Sequence, residues 1–266
     1  MPKSKKNNQN TKKVLYTIVV VFCLIMGLYL IVFLRNTGSS NQHLMDYDIH
    51  NLELLNSHRD KVFGIDISQY QGEIQWRKVN KINNQFPINF VIIRATMGSD
   101  GKDEKFDRNW KLSKKQGFTR GVYHYYRPNE NSNLQILNFI SKVELEAGDL
   151  PPVLDIEERP TTQSMDSLRS GLKKWLTAIE DYYGVRPIIY SSDNYYKHFL
   201  EKEFSDYPRW IANYNFWIKS PEPTWNFWQF SEKGTVNGIK TKVDLNIFNG
   251  NIYDLDNLTV DENTLK

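Results

Sequence analysis

Asp155 and Glu157, two of the acids in the short run Pro152-Val153-Leu154-Asp155-Ile156-Glu157-Glu158, are well placed to do chemistry. On a strand alternate side chains share a face, so Asp155 and Glu157 project to the same side with α-carbons roughly 6.6 Å apart. Such a pair suits hydrolysis of a glycosidic bond, where one acid gives the leaving oxygen its proton while another carboxylate stays ionised. An Asp155 anion would help to raise the pKa of Glu157 and keep it protonated near neutral pH. The alternative is structural: the two acids end a strand and pair with Arg94 or Arg127. Pattern alone leaves both open.

Another apolar run, Phe63-Gly64-Ile65-Asp66-Ile67-Ser68, also ends in an acid. Aromatic residues mark the strands too: Tyr123, Tyr125 and Tyr126 end the third, Tyr190 ends the fifth, Trp210 and Tyr214 flank the sixth, and Trp225 and Trp228 begin the seventh. Pyranose rings present apolar faces that stack on such side chains, so together they suit a sugar cleft, although any single one is more often core. His124 alternates with Tyr123 and Tyr125 and is expected to face the other way, as a packed histidine. No His-Glu-x-x-His or similar ligand spacing occurs, so no metal is expected; Gly-x-Gly-x-x-Gly and Walker patterns are absent too, and no cofactor is expected. Asp100-Gly101-Lys102-Asp103-Glu104 lacks the ligand spacing of a calcium loop and reads as a solvated loop.

The elements that must position these groups follow from periodicity. Strand-like runs recur at Val62 to Ile67, Phe90 to Ala95, Gly121 to Tyr125, Pro152 to Ile156, Pro187 to Tyr190, Trp210 to Tyr214, Phe227 to Phe230 and Val243 to Phe248. Helical patterns lie between several of them, at Lys105 to Gln116, Leu134 to Glu146 and Ser164 to Tyr183. Alternating strands and helices argue for a parallel sheet. Eight strands in this length are few residues for a complete (β/α)8 barrel of about 250, so some connections must lack helices, chiefly in the C-terminal third. The expected fold is α/β: an irregular TIM-like (β/α) barrel with eight strands and incomplete helical cover, preceded by one transmembrane helix.

That helix is Val14 to Leu34, 21 residues without a charge. As a helix it would be roughly 31 Å long, matching a hydrocarbon core of about 30 Å. A cleavable signal would have a shorter apolar region and a small-residue cleavage site, so an uncleaved anchor in the lipid bilayer is expected. Five lysines precede it and Arg35 follows, which puts the N-terminus in the cytoplasm. The domains expected are a basic tail (1–13), the span (14–34), a juxtamembrane linker (35–61), a barrel (62–250) and a C-terminal tail (251–266). The chain of 266 residues has a net charge of +3, but without the five lysines of the tail the balance turns negative, so the basic pI gives no support to a nucleic-acid partner. The single cysteine, Cys23, excludes an intrachain disulfide.

Eight ordered blocks from about Val62 to Gly250 resemble the family 25 glycoside hydrolases, the Chalaropsis-type lysozymes that cleave bacterial cell walls. They are Gly64-Ile65-Asp66-Ile67-Ser68-Gln69-Tyr70-Gln71-Gly72 with Trp76; Phe90-Val91-Ile92-Ile93-Arg94-Ala95-Thr96; Gly121-Val122-Tyr123-His124-Tyr125; Leu154-Asp155-Ile156-Glu157; Pro187-Ile188-Ile189-Tyr190; Trp210-Ile211-Ala212-Asn213-Tyr214; Trp228-Gln229-Phe230; and Val243-Asp244-Leu245-Asn246.

The resemblance implies hydrolysis of the β-1,4 bond after N-acetylmuramic acid in peptidoglycan glycan strands, with Glu157 as general acid and Asp66, Asp155 and Asp244 as an acidic floor. Asp66 or Asp244 would attack the anomeric carbon, or Asp155 would orient the substrate's own acetamido group as nucleophile; both routes retain configuration. Arg94, Tyr123, Tyr125, Tyr190, Trp210, Tyr214 and Gln229 are the candidate substrate contacts. Many members carry Lys followed by Ala-Thr-Glu-Gly where this chain has Arg94-Ala95-Thr96-Met97-Gly98, so a basic group is kept and an acid lost. The expected setting is the inner membrane, with a monomeric catalytic domain in the periplasm. Other readings are a non-catalytic peptidoglycan-binding protein and a hydrolase of another amino-sugar polymer.

Overall fold

The computed structural model describes residues 15, 16, 18, 19, 21, 22, 24–30, 46–220 and 224–263. The chain divides into two compact units, Met1–Ile49 and His50–Lys266. In the first, residues 24–30 are helical and largely exposed. The expected span Val14 to Leu34 lies partly outside the described residues, and the basic tail entirely so. Among the described residues no helix is long and apolar enough to cross a membrane.

The second unit is built on eight strands: β1 (Val62–Ile67), β2 (Phe90–Met97), β3 (Thr119–Tyr125), β4 (Val153–Asp155), β5 (Ile188–Ser192), β6 (Arg209–Ala212), β7 (Phe227–Gly234) and β8 (Val243–Phe248). From β1 to β7 each strand pairs in parallel with the next, and β8 pairs with both β7 and β1, closing the barrel. An all-parallel sheet is corrected here, because β8 runs antiparallel to both neighbours. The stretch 235–242 is too short for the crossover that a parallel return needs, and it folds as a hairpin instead.

Helical cover is incomplete, as the spacing of the strands predicts. Helices α1 (Phe106–Lys115), α2 (Ser132–Ile140) and α3 (Met165–Tyr183) follow β2, β3 and β4. Leu168, Leu172, Trp175, Leu176 and Ile179 form the buried stripe of α3, which Ser164 caps at its start and Gly184, with φ of 73°, ends in the left-handed conformation. Helix α2 stops at Ile140, short of the expected Glu146, because Val143 and Leu145 bury on alternate residues with Glu144 and Glu146 outward, an extended pattern.

The unit also takes in more chain than residues 62–250. Leu54 and Leu55, on a helical stretch within the expected linker, are buried, as is Leu255 on the helix Ile252–Leu258 within the expected tail.

Strand alternation sorts the barrel into two packed regions. Val62, Phe90, Ile92, Val153, Ile188, Phe227 and Phe248 fill the interior with Leu150 and Leu255, while the opposite faces pack with the helices in a larger core. Gly64 lets the ring of Phe90 in: a β-carbon there would lie 2.3 Å from a ring carbon. Above this plug the inward positions turn polar, at the end where the parallel strands finish.

Candidate active site

The register brings the acids together. Asp66, next to last in β1, lies directly opposite Asp244, the second residue of β8, while Asp155 ends β4 between Tyr125 and Tyr190. Glu157 follows two residues later and shares a hydrogen bond with Asp155. All four acids therefore sit at one barrel mouth, β8 contributing its start because it runs the other way.

Asp66 is buried and held by amides. Its Oδ1 accepts from Gln229 Nε2 at 2.8 Å and from Asn246 Nδ2 at 2.7 Å. Those amides are oriented in turn: Gln229 Oε1 accepts from the Tyr190 hydroxyl at 2.7 Å and from the Tyr214 hydroxyl, and Asn246 Oδ1 accepts from Trp210 Nε1 at 2.8 Å. The amide nitrogens thus have no choice but to face the carboxylate. Asn246 was not legible as a site residue, although it lies in a recognisable block, because it neither titrates nor stacks.

Burial pushes the Asp66 carboxyl up to about 6, against the amide bonds that favour its charge. Asp244 goes further, to about 9, because burial is compounded by the neighbouring charges of Asp66 and Glu232. At neutral pH Asp244 therefore carries the proton and donates it to Asp66. Burial likewise raises Asp155, with the charges of Glu157 and Asp66 adding to it.

Glu157 is exposed at the rim, yet desolvation on its protein side and the charges of Asp66, Glu158 and Glu232 raise it too. The expectation that an Asp155 anion raises Glu157 is corrected: the hydrogen bond from Asp155 acts to lower it. Asp155 is the more deeply buried of the two, so the shared proton rests there without substrate. Its Oδ1 is buried with no hydrogen-bond partner among the described residues.

The structural alternative, in which these acids end in ion pairs with Arg94 or Arg127, does not hold. Arg94 Nε binds Asp103 at 3.2 Å, and Arg127 binds Glu130 at 3.0 Å. Asp103, placed by sequence in a solvated loop, is buried; it also accepts from the backbone N–H groups of Gln69 and Lys105.

Of the other candidates, Tyr123 lies among Asp66, Asp155, Asp244 and Arg94, and burial first, then the nearby carboxylates, raise its hydroxyl. The Tyr125 hydroxyl donates to Glu158 at 3.0 Å. Trp210, expected as a sugar contact, is buried edge-on against Tyr190 and supports the floor through Asn246. His124 is fully buried on the outer face of β3, bonded to Thr96 and Gln135, and burial lowers it to about 4.

Residues 65–239 match the family described as Glycosyl hydrolases family 25. The chain is 39% identical to the Escherichia coli protein YegX over 198 residues, covering 73% of this chain and 72% of that one. It is 30% identical to Lysozyme M1 of Streptomyces globisporus over 204 residues, covering 71% and 68%. A solved family 25 glycosyl hydrolase from Bacillus anthracis superposes with a TM-score of 0.68 at 28% identity, over 76% of this chain and 95% of its own. By the extent of the match and the closed barrel alike, the chain belongs to glycosyl hydrolase family 25.

Proposed function

We propose that this enzyme, a peptidoglycan hydrolase, is an N-acetylmuramidase that cleaves the β-1,4 bond between N-acetylmuramic acid and N-acetylglucosamine with retention. The observation that carries the proposal is the division of labour among four carboxyl groups at one mouth. Asp66 is surrounded by donors that favour its anion, while Asp244, Asp155 and Glu157 are pushed towards their neutral forms.

Glu157, at the accessible rim, is the general acid that protonates the leaving oxygen. Once substrate covers the mouth, the buried free oxygen of Asp155 accepts the N–H of the substrate's acetamido group and turns its carbonyl oxygen towards the anomeric carbon. Asp155 then gives up its proton, and Glu157 takes the proton of the pair. The ionised Asp66 stabilises the positive charge that develops on the sugar ring. Tyr123, Tyr125, Tyr214 and Arg94 border the sugar.

Residues 14–34 anchor the enzyme in the inner membrane with the N-terminus in the cytoplasm and the barrel in the periplasm, a proposal that rests on the length and charge flanks of that segment. Protease added to spheroplasts should digest the barrel domain; digestion only after the inner membrane is opened would reverse the topology.

The activity is tested by digesting purified peptidoglycan, reducing the products with borohydride and identifying the reduced sugar by mass spectrometry. Reduced muramic acid ends are expected. Reduced glucosamine ends would move the cleavage site, and no new ends from folded protein that still sediments with the wall would leave a binding protein.

A further inference from the structure

The chain leaves β6 at Ala212 beside the acidic floor, where Tyr214 reaches Gln229, while the Asn213 carbonyl accepts from Trp228 Nε1 at 2.9 Å on the outer side. It then turns tightly. Ile218 N donates to the Asn215 carbonyl at 3.0 Å, and Trp217 N to the Asn215 side chain at 3.0 Å. Phe216 is stacked on His50, with ring centroids 4.2 Å apart, which pins the turn from one side. At its corner Trp217 is 91% exposed. Tyr214 and Phe216 beside it are also part-exposed, so three aromatic side chains within four residues face water together, and aromatic residues exposed as a group rather than singly mark a contact surface.

Strand order gives the direction in which that surface extends. In the closed barrel β6 lies opposite β2. On the β2 side, loops after β1 to β4 enclose a cavity of about 520 Å³ lined by Tyr70, Arg94, Met97, Tyr125, Arg127 and Glu158. There the Tyr70 ring is 70% exposed, with the Arg94 guanidinium 4.8 Å from its centroid. Asp66 on β1, Asp244 on β8 and Asp155 on β4 stand on the two arcs of strands that separate β2 from β6. A polymer that crosses the mouth from the cavity and over the acids leaves on the Trp217 side.

We propose that Trp217 is a stacking platform for a pyranose ring of the glycan strand beyond the two sugars joined at the cleaved bond, so that the enzyme favours long strands over short ones. This rests on the assignment of the cleft to glycan strands. The indole supplies a flat apolar face that matches the C–H face of a sugar and needs no particular decoration on it. Nothing at Trp217 touches the reacting atoms, so its effect belongs to binding.

The test uses the full chain in detergent micelles and peptide-free glycan oligosaccharides of increasing length, from two disaccharide repeats upward. For Trp217→Ala the KM should rise about tenfold on the long oligosaccharides, by an amount that grows with chain length, and Trp217→Phe should recover part of it. A loss equal at all lengths, or no loss, overturns the proposal. If the wild-type chain cleaves no oligosaccharide of any length, the assignment of the cleft has failed, and the role of Trp217 falls with it.

Indole emission gives a second readout. In a Glu157→Gln chain, which binds without turnover, long oligosaccharide should shift the emission to the blue, and Trp217→Phe should remove that shift. A shift on transfer into liposomes with none on adding oligosaccharide would overturn the proposal in favour of contact with lipid headgroups.

Discussion

Asp66 and Asp244 stand directly opposite one another across the antiparallel seam of β1 and β8, and the protonated Asp244 donates a hydrogen bond to Asp66. Both bind a proton more tightly in the folded chain than an ordinary carboxyl group does. Their contribution to stability is therefore complete below about pH 4 and is lost as pH rises through about 6 and then about 9. The unfolding free energy should fall across that window by at most about 1.4 kcal/mol per pH unit for each group, and the melting temperature with it. Asp244→Asn keeps a donor for Asp66 but has no proton to lose, so calorimetry should show a flatter fall above pH 7 in that variant. Parallel curves would dismiss the shared proton.

Glu157→Gln keeps the shape of the side chain and removes the acid proton. Release of reducing ends should drop by about 10²- to 10⁴-fold. Because the amide also relieves repulsion from Asp66, Glu158 and Glu232, thermal stability should not fall. Undiminished turnover in the folded variant would exclude Glu157 as the acid.

Asn246→Ala takes from Asp66 one of the two amide donors that hold its pKa down. A hydrogen bond to a charged group is worth roughly 1.5–3 kcal/mol, so the acidic limb of the activity profile should move up by about one to two pH units. Trp210→Phe, which only frees the far end of the same amide, should move the limb less and in the same direction. A limb that stays in place in Asn246→Ala would mean that Asp66 does not set it.

Gly64→Ala puts a methyl group within 2.3 Å of the Phe90 ring inside the barrel. Denaturant unfolding should show a loss of about 1–3 kcal/mol. In the Phe90→Leu background the loss should be smaller, since the ring is what the methyl meets; two additive losses would show that the crowding lies elsewhere.

Much of this arrangement was legible in the chain because strand alternation is strict. Asp155 is inward by parity, and the same rule turns His124 outward into its packed place, whereas Gln229 came from the resemblance. The resemblance supplied Asp244, which parity within one strand could not, because the inward face of β8 depends on its reversal. The Arg94–Asp103 pair was not legible, since a turn between the two residues has no periodicity to read. Nor was the resting place of the proton between Asp155 and Glu157, which is set by relative depth, a property of the whole fold.

The seam also links the order of folding to the onset of activity. Asp66 is bonded to Gln229 and Asn246, residues 163 and 180 positions further along the chain. No growing or partly folded chain that lacks its last strand holds the opposed acids, however complete its helices and first seven strands. Contacts this remote in sequence are among the slowest to form. A wall-cutting centre built across such a closure is silent during synthesis and comes into being only with the final stave of the barrel.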